Sequence, residues 1–362
     1  MKLGVEAAVV GRRLVPGDVE VADGRIVRYG VTSTNGRGVA VPGFVDLQVN
    51  GFGGVDLLEA DTDGYRRAGE ALLETGVTAY LPTFITAPEE QLRWALSAVP
   101  SNGSSPRILG AHVEGPFLSP KRLGIHPAAD RRDPDPALLE RLLSYGPVRL
   151  MTLAPELPGA DELIDLLLRH GVTVSCGHTD ATAVEANAAF DRGVGTVTHL
   201  FNAMRPFRHR DPGIAGTALA RDVVVQVILD RIHLADDTMR MVWRAAAGRV
   251  ALVTDAMAGA GSTDGSYSLG NVDVQLRDGV ARSPDGTLAG SSLTMLEAVQ
   301  NLHSLGVPLA DAVQAATAVP ARVIGAADVG RIRAGGRADT VILDDNLSID
   351  RVLVGGEALV VC

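Results

Sequence analysis

The chain of 362 residues carries 33 Lys and Arg against 43 Asp and Glu, a formal net charge of −10, with 46% hydrophobic and 21% charged residues. That balance supports a large apolar core, excludes a disordered chain, and argues against general binding to nucleic acid or to an anionic membrane, while leaving room for a local cationic pocket. Two cysteines, Cys176 and Cys362, imply no disulfide framework, Glu6 interrupts the apolar N-terminal run of a would-be signal, and no apolar stretch of about 20 residues is present, so a cytoplasmic globular protein is expected.

From the N-terminus, residues 1–41 alternate apolar and polar positions, with Asp23-Gly24 turning between Val19–Val21 and Ile26–Tyr29. Eight short apolar runs follow: Phe44–Val49, Val77–Tyr80, Arg107–Val113, Val148–Leu153, Val172–Ser175, Gly195–Thr198, Val223–Leu229 and Val250–Thr254. Most are β-branched and continuous, the pattern of parallel strands covered on both faces. Helical patterns lie between them at Tyr65–Glu74, Glu89–Val99, Pro136–Ser144, Glu162–Arg169, Val184–Asp191 and Asp236–Ala247. Pro88 and Pro136 suit first helical turns, and His170-Gly171 a helix end with its left-handed cap. After the eighth run, residues 266–289 read as hairpins with turns at Arg277-Asp278-Gly279 and Pro284-Asp285-Gly286. Residues 331–362 add a strand pair, Val352–Val354 and Leu359–Val361, joined through Gly355-Gly356. The alternation predicts an α/β fold, a (β/α)8 TIM-type barrel over 43–330, with an open doubly wound sheet as the alternative. Residues 1–42 and 331–362 are expected to form a small β-sandwich flanking it.

The ionisable residues fall at one end of this map. Glu114 follows the third run, His178 the fifth, His199 the sixth and Asp255 the eighth, and His233 lies just past the seventh. Barrel active sites are built at the C-terminal ends of the strands, so five candidates on one rim reinforce one another. Taken singly, Asp255 reads equally as a helix cap and Glu114 as a turn cap before Gly115-Pro116; His170 and His303 read as structural. Glu114, His178 and His199 suit a divalent metal: two imidazoles and a carboxylate, with water, make a four-coordinate zinc site, and iron, cobalt and cadmium accept the same donors. Such an ion acidifies water and polarises an acyl oxygen, and Asp255 could take the water proton and deliver it to a leaving nitrogen. Cys176 is read as a small buried residue rather than a ligand. The segment Arg205-Pro-Phe-Arg208-His209-Arg210 reads either as a solvated basic loop or as an anion-recognition element, with Asn202 and nearby backbone amides able to hold phosphate oxygens.

Several segments carry a family resemblance: Pro42-Gly-Phe-Val-Asp-Leu-Gln-Val-Asn-Gly-Phe-Gly-Gly54, His112-Val-Glu-Gly-Pro-Phe117, Ser175-Cys-Gly-His178, Thr198-His-Leu-Phe-Asn-Ala-Met204, Asp211-Pro-Gly-Ile-Ala-Gly216, Val253-Thr-Asp-Ala256 and Leu288-Ala-Gly-Ser-Ser-Leu-Thr-Met295. In this order, from about residue 40 to 330, the chain resembles the N-acetylglucosamine-6-phosphate deacetylases of the amidohydrolase superfamily. The resemblance implies metal-dependent hydrolysis of a sugar-phosphate acetamide, with Glu114, His178 and His199 holding the metal and Asp255 as acid/base. It implies that His126 contacts the acetamido carbonyl, with Ile125 beside it. Asn202 and the backbone at Ala203 would bind the phosphate, His233 would contact the substrate, and Leu288, Ala289 and Gly290 would close over the sugar. Arg210 would reach the phosphate of a neighbouring subunit, implying a homodimer. Two departures stand out. The superfamily's first-strand HxH is replaced by Gln48-Val49-Asn50, whose neutral amides are poor zinc ligands, so one tightly bound metal per subunit is expected. Arg231 stands where the family tends to show Gly, and is expected either to add a phosphate contact or to crowd the pocket. Alternative readings are a deacetylase of a related N-acetylhexosamine phosphate, a hydrolase of another amide such as a cyclic one, and a non-catalytic sugar-phosphate sensor.

Overall fold

The computed structural model describes residues 1–32, 35–101 and 105–361, and Cys362 lies outside them. The apolar runs become eight parallel strands: Phe44–Val49, Val77–Phe84, Ala111–Glu114, Val148–Leu153, Thr173–Cys176, Thr196–Val197, Val224–Val227 and Val250–Leu252. Every residue of the first two is buried, as their unbroken apolar character requires for strands with helices outside and side chains inside. The sheet curls until its ends meet. A parallel bridge joins Val49 to Ala256, and the Thr254 hydroxyl donates to the Asp46 carboxylate at 2.6 Å, tying the eighth strand to the first. The barrel, rather than the open sheet, is therefore the architecture.

The third run differs from its expectation. Arg107–Ile108 pairs with the second strand, the chain breaks at Leu109-Gly110, and pairing resumes at Ala111. Gly110 is the physical reason: its φ is +119°, and a Cβ there would stand 2.8 Å from the Pro147 carbonyl oxygen. Between the strands run helices Thr62–Glu74, Glu89–Ala98, Pro136–Tyr145, Ala160–Arg169, Ala183–Arg192, Gly213–Ala220 and Asp236–Ala246. Asp61, Asp135 and Thr182 cap three of them through side-chain oxygens, Pro136 opens its helix, and Gly171 turns left-handed after His170. Gly213–Ala220 is a helix that the sequence pattern does not predict, because its eight residues are almost uniformly small or apolar and show no helical period.

Both chain ends build one six-stranded sheet, ordered Arg13–Pro16, Ala7–Val10, Val39–Pro42, Thr340–Leu343, Ile349–Val354 and Glu357–Val361. The hairpin Asp18–Ala22 and Arg25–Val31, turning at Asp23-Gly24, packs on it through a separate apolar cluster that includes Leu3, Val19, Ile26 and Ile342. A three-stranded meander, Gly265–Leu269, Val272–Arg277 and Val280–Arg282, rises after the eighth barrel strand. Its apolar face packs on Ile85, Met257 and Ala289 and stands over the C-terminal mouth of the barrel. Among the described residues, no helix is long and apolar enough to cross a membrane.

Candidate active site

Glu114 ends the third strand, and His178, His199 and Asp255 follow closely on the fifth, sixth and eighth. The latter three take left-handed backbone angles, φ of 47°, 28° and 52°. Each such residue without a glycine costs about 1–2 kcal/mol, and strain of this kind gathers at functional sites. Neighbouring backbone holds these turns: the Leu200 amide donates to the Gln226 carbonyl at 2.7 Å, and the Ser291 amide to the Asp255 carbonyl at 2.8 Å.

The three expected metal residues converge. His199 Nε2 lies 3.0 Å from Glu114 Oε1, His178 Nε2 lies 3.3 Å from the same oxygen, and the two Nε2 atoms are 3.1 Å apart. All three residues are buried, and one donor atom from each lies within 4.8 Å of the others. The His178 Nδ1 hydrogen is donated to the Arg122 carbonyl at 3.0 Å, which turns the Nε2 lone pair toward Glu114. Two imidazole nitrogens and a carboxylate oxygen meeting without intervening charge would repel, so a proton or a cation must stand between them. Burial disfavours charge on both Glu114 and His199, yet hydrogen bonding within the cluster holds the Glu114 carboxyl well below its usual range and raises His199. The donor set fits a divalent metal that takes over from that shared proton.

The first-strand amides face the same centre but donate rather than ligate. Gln48 Nε2 lies 3.2 Å from both Glu114 oxygens, and Asn50 Nδ2 lies 2.7 Å from Asp255 Oδ1. Among the described residues, Gln48 Oε1 and Asn50 Oδ1 are buried without a protein partner. Burial, then the Glu114 charge, pushes the Asp255 carboxyl up to about 6. That is a useful range for a group that first takes and then gives a proton near neutrality.

His126 completes the centre. Its Nε2 is 3.6 Å from Glu114 Oε2, while its Nδ1 accepts from the Thr86 amide at 3.2 Å and lies 2.9 Å from the Thr86 hydroxyl. Burial, then the neighbouring His178, lowers it to about 4. His233 points into the same cavity and donates from Nδ1 to Asp230 at 2.7 Å. Ile125, Asn202, Ala203, Leu288 and Gly290 line the cavity walls. Ala289 does not: its side chain is buried in the apolar cluster under the meander. Arg210 is exposed and outside the cavity of its own chain. Arg205 is engaged internally, with Asp211 at 2.8 Å and Asp180 at 3.4 Å, so it is no free anion receptor. Arg231 does not crowd the cavity of its own chain. Its guanidinium turns outward to Ser304 at 2.7 Å and Asp236 at 3.3 Å, away from the cavity.

Several cavity residues have no sequence signal. Ile85, Ile228, Leu269 and Thr287 line it, yet in the sequence they are ordinary apolar or turn residues, and only the meander and the turn after it bring Leu269 and Thr287 over the barrel mouth. Thr86 acts on His126 through a contact that spacing does not reveal, whereas the three-residue separation of Asp230 and His233 is a signal that points to their pairing.

The amidohydrolase family model matches residues 39–359. The chain belongs to the amidohydrolase family. It is 36% identical over 342 residues to an N-acetylglucosamine-6-phosphate deacetylase from Homo sapiens, covering 89% of this chain and 83% of that protein. It is 35% identical over 325 residues to an N-acetylgalactosamine-6-phosphate deacetylase from Escherichia coli O157:H7, covering 87% and 86%. An aspartate-to-alanine variant of the Mycobacterium smegmatis N-acetyl-D-glucosamine-6-phosphate deacetylase, solved in complex with N-acetyl-D-glucosamine-6-phosphate, superposes with a TM-score of 0.94 at 36% identity over 99% of both chains.

Proposed function

We propose that this amidohydrolase removes the acetyl group of N-acetylglucosamine-6-phosphate, giving glucosamine-6-phosphate and acetate. The observation that carries the reading is the meeting of Glu114, His178 and His199 with Asp255 and His126 at the C-terminal mouth of a barrel. Its close structural likeness to a deacetylase solved with that substrate supports it.

In this reading Glu114, His178 and His199 hold one divalent metal per subunit, zinc by preference of the donor set, with iron, cobalt or cadmium also accepted by it. When bound, the metal supplies an acidified water and polarises the acyl oxygen. Asp255, steadied by Asn50 at one carboxylate oxygen, removes a proton from the attacking water and passes it to the departing nitrogen. His126 faces the acyl oxygen, where negative charge grows as the carbonyl is attacked. His233, held by Asp230, contacts the sugar, with Ile125, Leu288 and Gly290 around it. The Asn202 amide nitrogen is turned to the His199 and Leu200 carbonyls, so the amide at Ala203 is the freer phosphate donor. Arg210, exposed and outside its own cavity, is assigned to the phosphate of a neighbouring subunit in a homodimer. Ala289 supports this wall from behind rather than touching substrate. The barrel is taken as residues 43–330, the accessory unit as 1–42 and 331–362, and the compartment as the cytoplasm.

The test is acetate release from the phosphorylated sugar against the unphosphorylated one. Asp255→Asn should lower turnover by orders of magnitude while substrate still binds, which separates an enzyme from a sensor. If Arg210→Ala leaves the preference for the phosphorylated sugar unchanged, its role is wrong. The Escherichia coli relative gives a specific reason to measure kcat/KM for the galactosamine epimer alongside.

A further inference from the structure

Two buried histidines in this centre, with rings 4.2 Å apart, are addressed by opposite backbone groups. His178 Nδ1 faces a carbonyl, that of Arg122 at 3.0 Å, and so must carry the hydrogen. His126 Nδ1 faces an amide, that of Thr86 at 3.2 Å, and so must present its lone pair. A neutral imidazole has one hydrogen, so each contact decides what the other nitrogen does. His178 is left with a lone pair at Nε2, as a metal ligand needs. His126 is left with a hydrogen at Nε2, the nitrogen on the Glu114 side of its ring.

We propose that Thr86 is a positioning residue: its backbone amide, by occupying Nδ1, fixes His126 as an Nε2–H donor aimed at the acyl oxygen of the substrate. The inference rests on the deacetylase reading above and deepens it. The opposite tautomer would turn a lone pair toward an oxygen that is gaining negative charge, and the site would lose one of its donors there.

The Thr86 hydroxyl leaves a rival arrangement to weigh. Oγ1 is 2.9 Å from His126 Nδ1 and 3.4 Å from the Glu114 carbonyl, so a relay from Nδ1–H through the hydroxyl to that carbonyl is drawn as easily on those two distances. The amide decides between them, because the relay would set the Thr86 N–H against an Nδ1–H. The amide is not free to turn away. Thr86 follows the second barrel strand, which ends at Phe84, and precedes the helix that begins at Glu89. Its neighbour Ile85 is buried under the meander.

The deciding experiment is long-range 1H–15N NMR on the zinc-loaded protein labelled at histidine, with His126 assigned by its disappearance in His126→Gln. The expected spectrum has an unprotonated, pyridine-type Nδ1 and a protonated Nε2 for His126, and a protonated Nδ1 for His178. A protonated His126 Nδ1 overturns the inference. Thr86→Val keeps the amide and removes the hydroxyl; the His126 tautomer should survive it, and a switch to Nδ1–H would show that the hydroxyl, not the amide, was in control. In acetate release, His126→Gln, whose amide nitrogen falls near the place of Nε2, should retain at least about tenfold more kcat than His126→Asn, whose nitrogen falls near Nδ1. Equal losses would also overturn the assignment. Failure of the wild type to release acetate would sink the deacetylase reading, and the spectrum would still report the tautomer.

Discussion

Asp46 offers a test of the barrel closure that needs no substrate. It is wholly buried between the first and eighth strands, where Oδ1 accepts from the Gln48 and Thr254 amides at 3.2 and 3.3 Å and Oδ2 from the Thr254 hydroxyl at 2.6 Å. Burial outweighs these bonds and pushes its carboxyl from 3.8 up to about 7. The folded state therefore keeps the proton where the unfolded chain has lost it, so stability is fullest below about pH 4 and falls as pH rises toward 7. At about 1.4 kcal/mol per unit, a rise of about three units removes on the order of 4 kcal/mol in all, roughly half of it between pH 5.5 and 8.5. Asp46→Asn removes the titration and keeps the three contacts of the carboxyl group, at a cost in stability that does not change with pH. Its Oδ1 keeps both amides, its Nδ2 donates to Thr254 Oγ1, and that hydroxyl turns its hydrogen to the Gln48 carbonyl at 3.3 Å. Urea unfolding of both proteins at the two pH values cancels the titrating groups that do not interact with Asp46; Asp255, whose charge adds a smaller push to Asp46, is neutralised in both proteins by working in an Asp255→Asn background. The variant should gain about 2 kcal/mol on its Asp46 parent from pH 5.5 to 8.5. Parallel pH dependences would refute the reasoning, since they would mean Asp46 is ionised in the fold or neutral in both states.

Other substitutions probe the site's supports. Arg231→Gly relieves a φ of +65° and gives up an exposed ion pair and one hydrogen bond, so thermal unfolding should show a gain of about 0.5–1 kcal/mol, with KM unchanged. Gly290→Ala places a Cβ 2.7 Å from the Asp255 carbonyl oxygen in a backbone at φ +59°, so the base is displaced and kcat should fall more than stability does. Glu114→Gln removes the charged ligand and should leave purified protein with far less than one metal per chain, read by elemental analysis.

The sequence made the strands legible because strands buried on both faces are unbroken apolar runs, and eight of them with helices between leave few architectures. It made Glu114, His178, His199 and Asp255 legible because each lies just beyond such a run. What it could not show were distances between loops. Ala289 and Leu288 are adjacent, yet one faces the meander core and the other the cavity, a matter of side-chain direction that no motif encodes. The arginine segment looked uniform, but Asp180 and Asp211 engage Arg205 and leave Arg210 exposed. The outward course of Arg231 depends on Ser304, more than seventy residues on, which its local sequence does not show. Leu269 belongs to a meander whose sequence reads only as hairpins, and Thr287 to the turn that follows it; the meander's placement over the barrel mouth comes from packing against Ile85 and Met257.

The central claim is that one metal, held by Glu114, His178 and His199, works with Asp255 to hydrolyse a phosphosugar acetamide. The most direct measurement takes metal content and acetate release from N-acetylglucosamine-6-phosphate on the same purified sample while the metal is titrated back into stripped protein. The account predicts that activity rises in proportion to metal and levels off at one ion per chain. Full activity without metal, or a plateau only at two tightly bound ions, would contradict it.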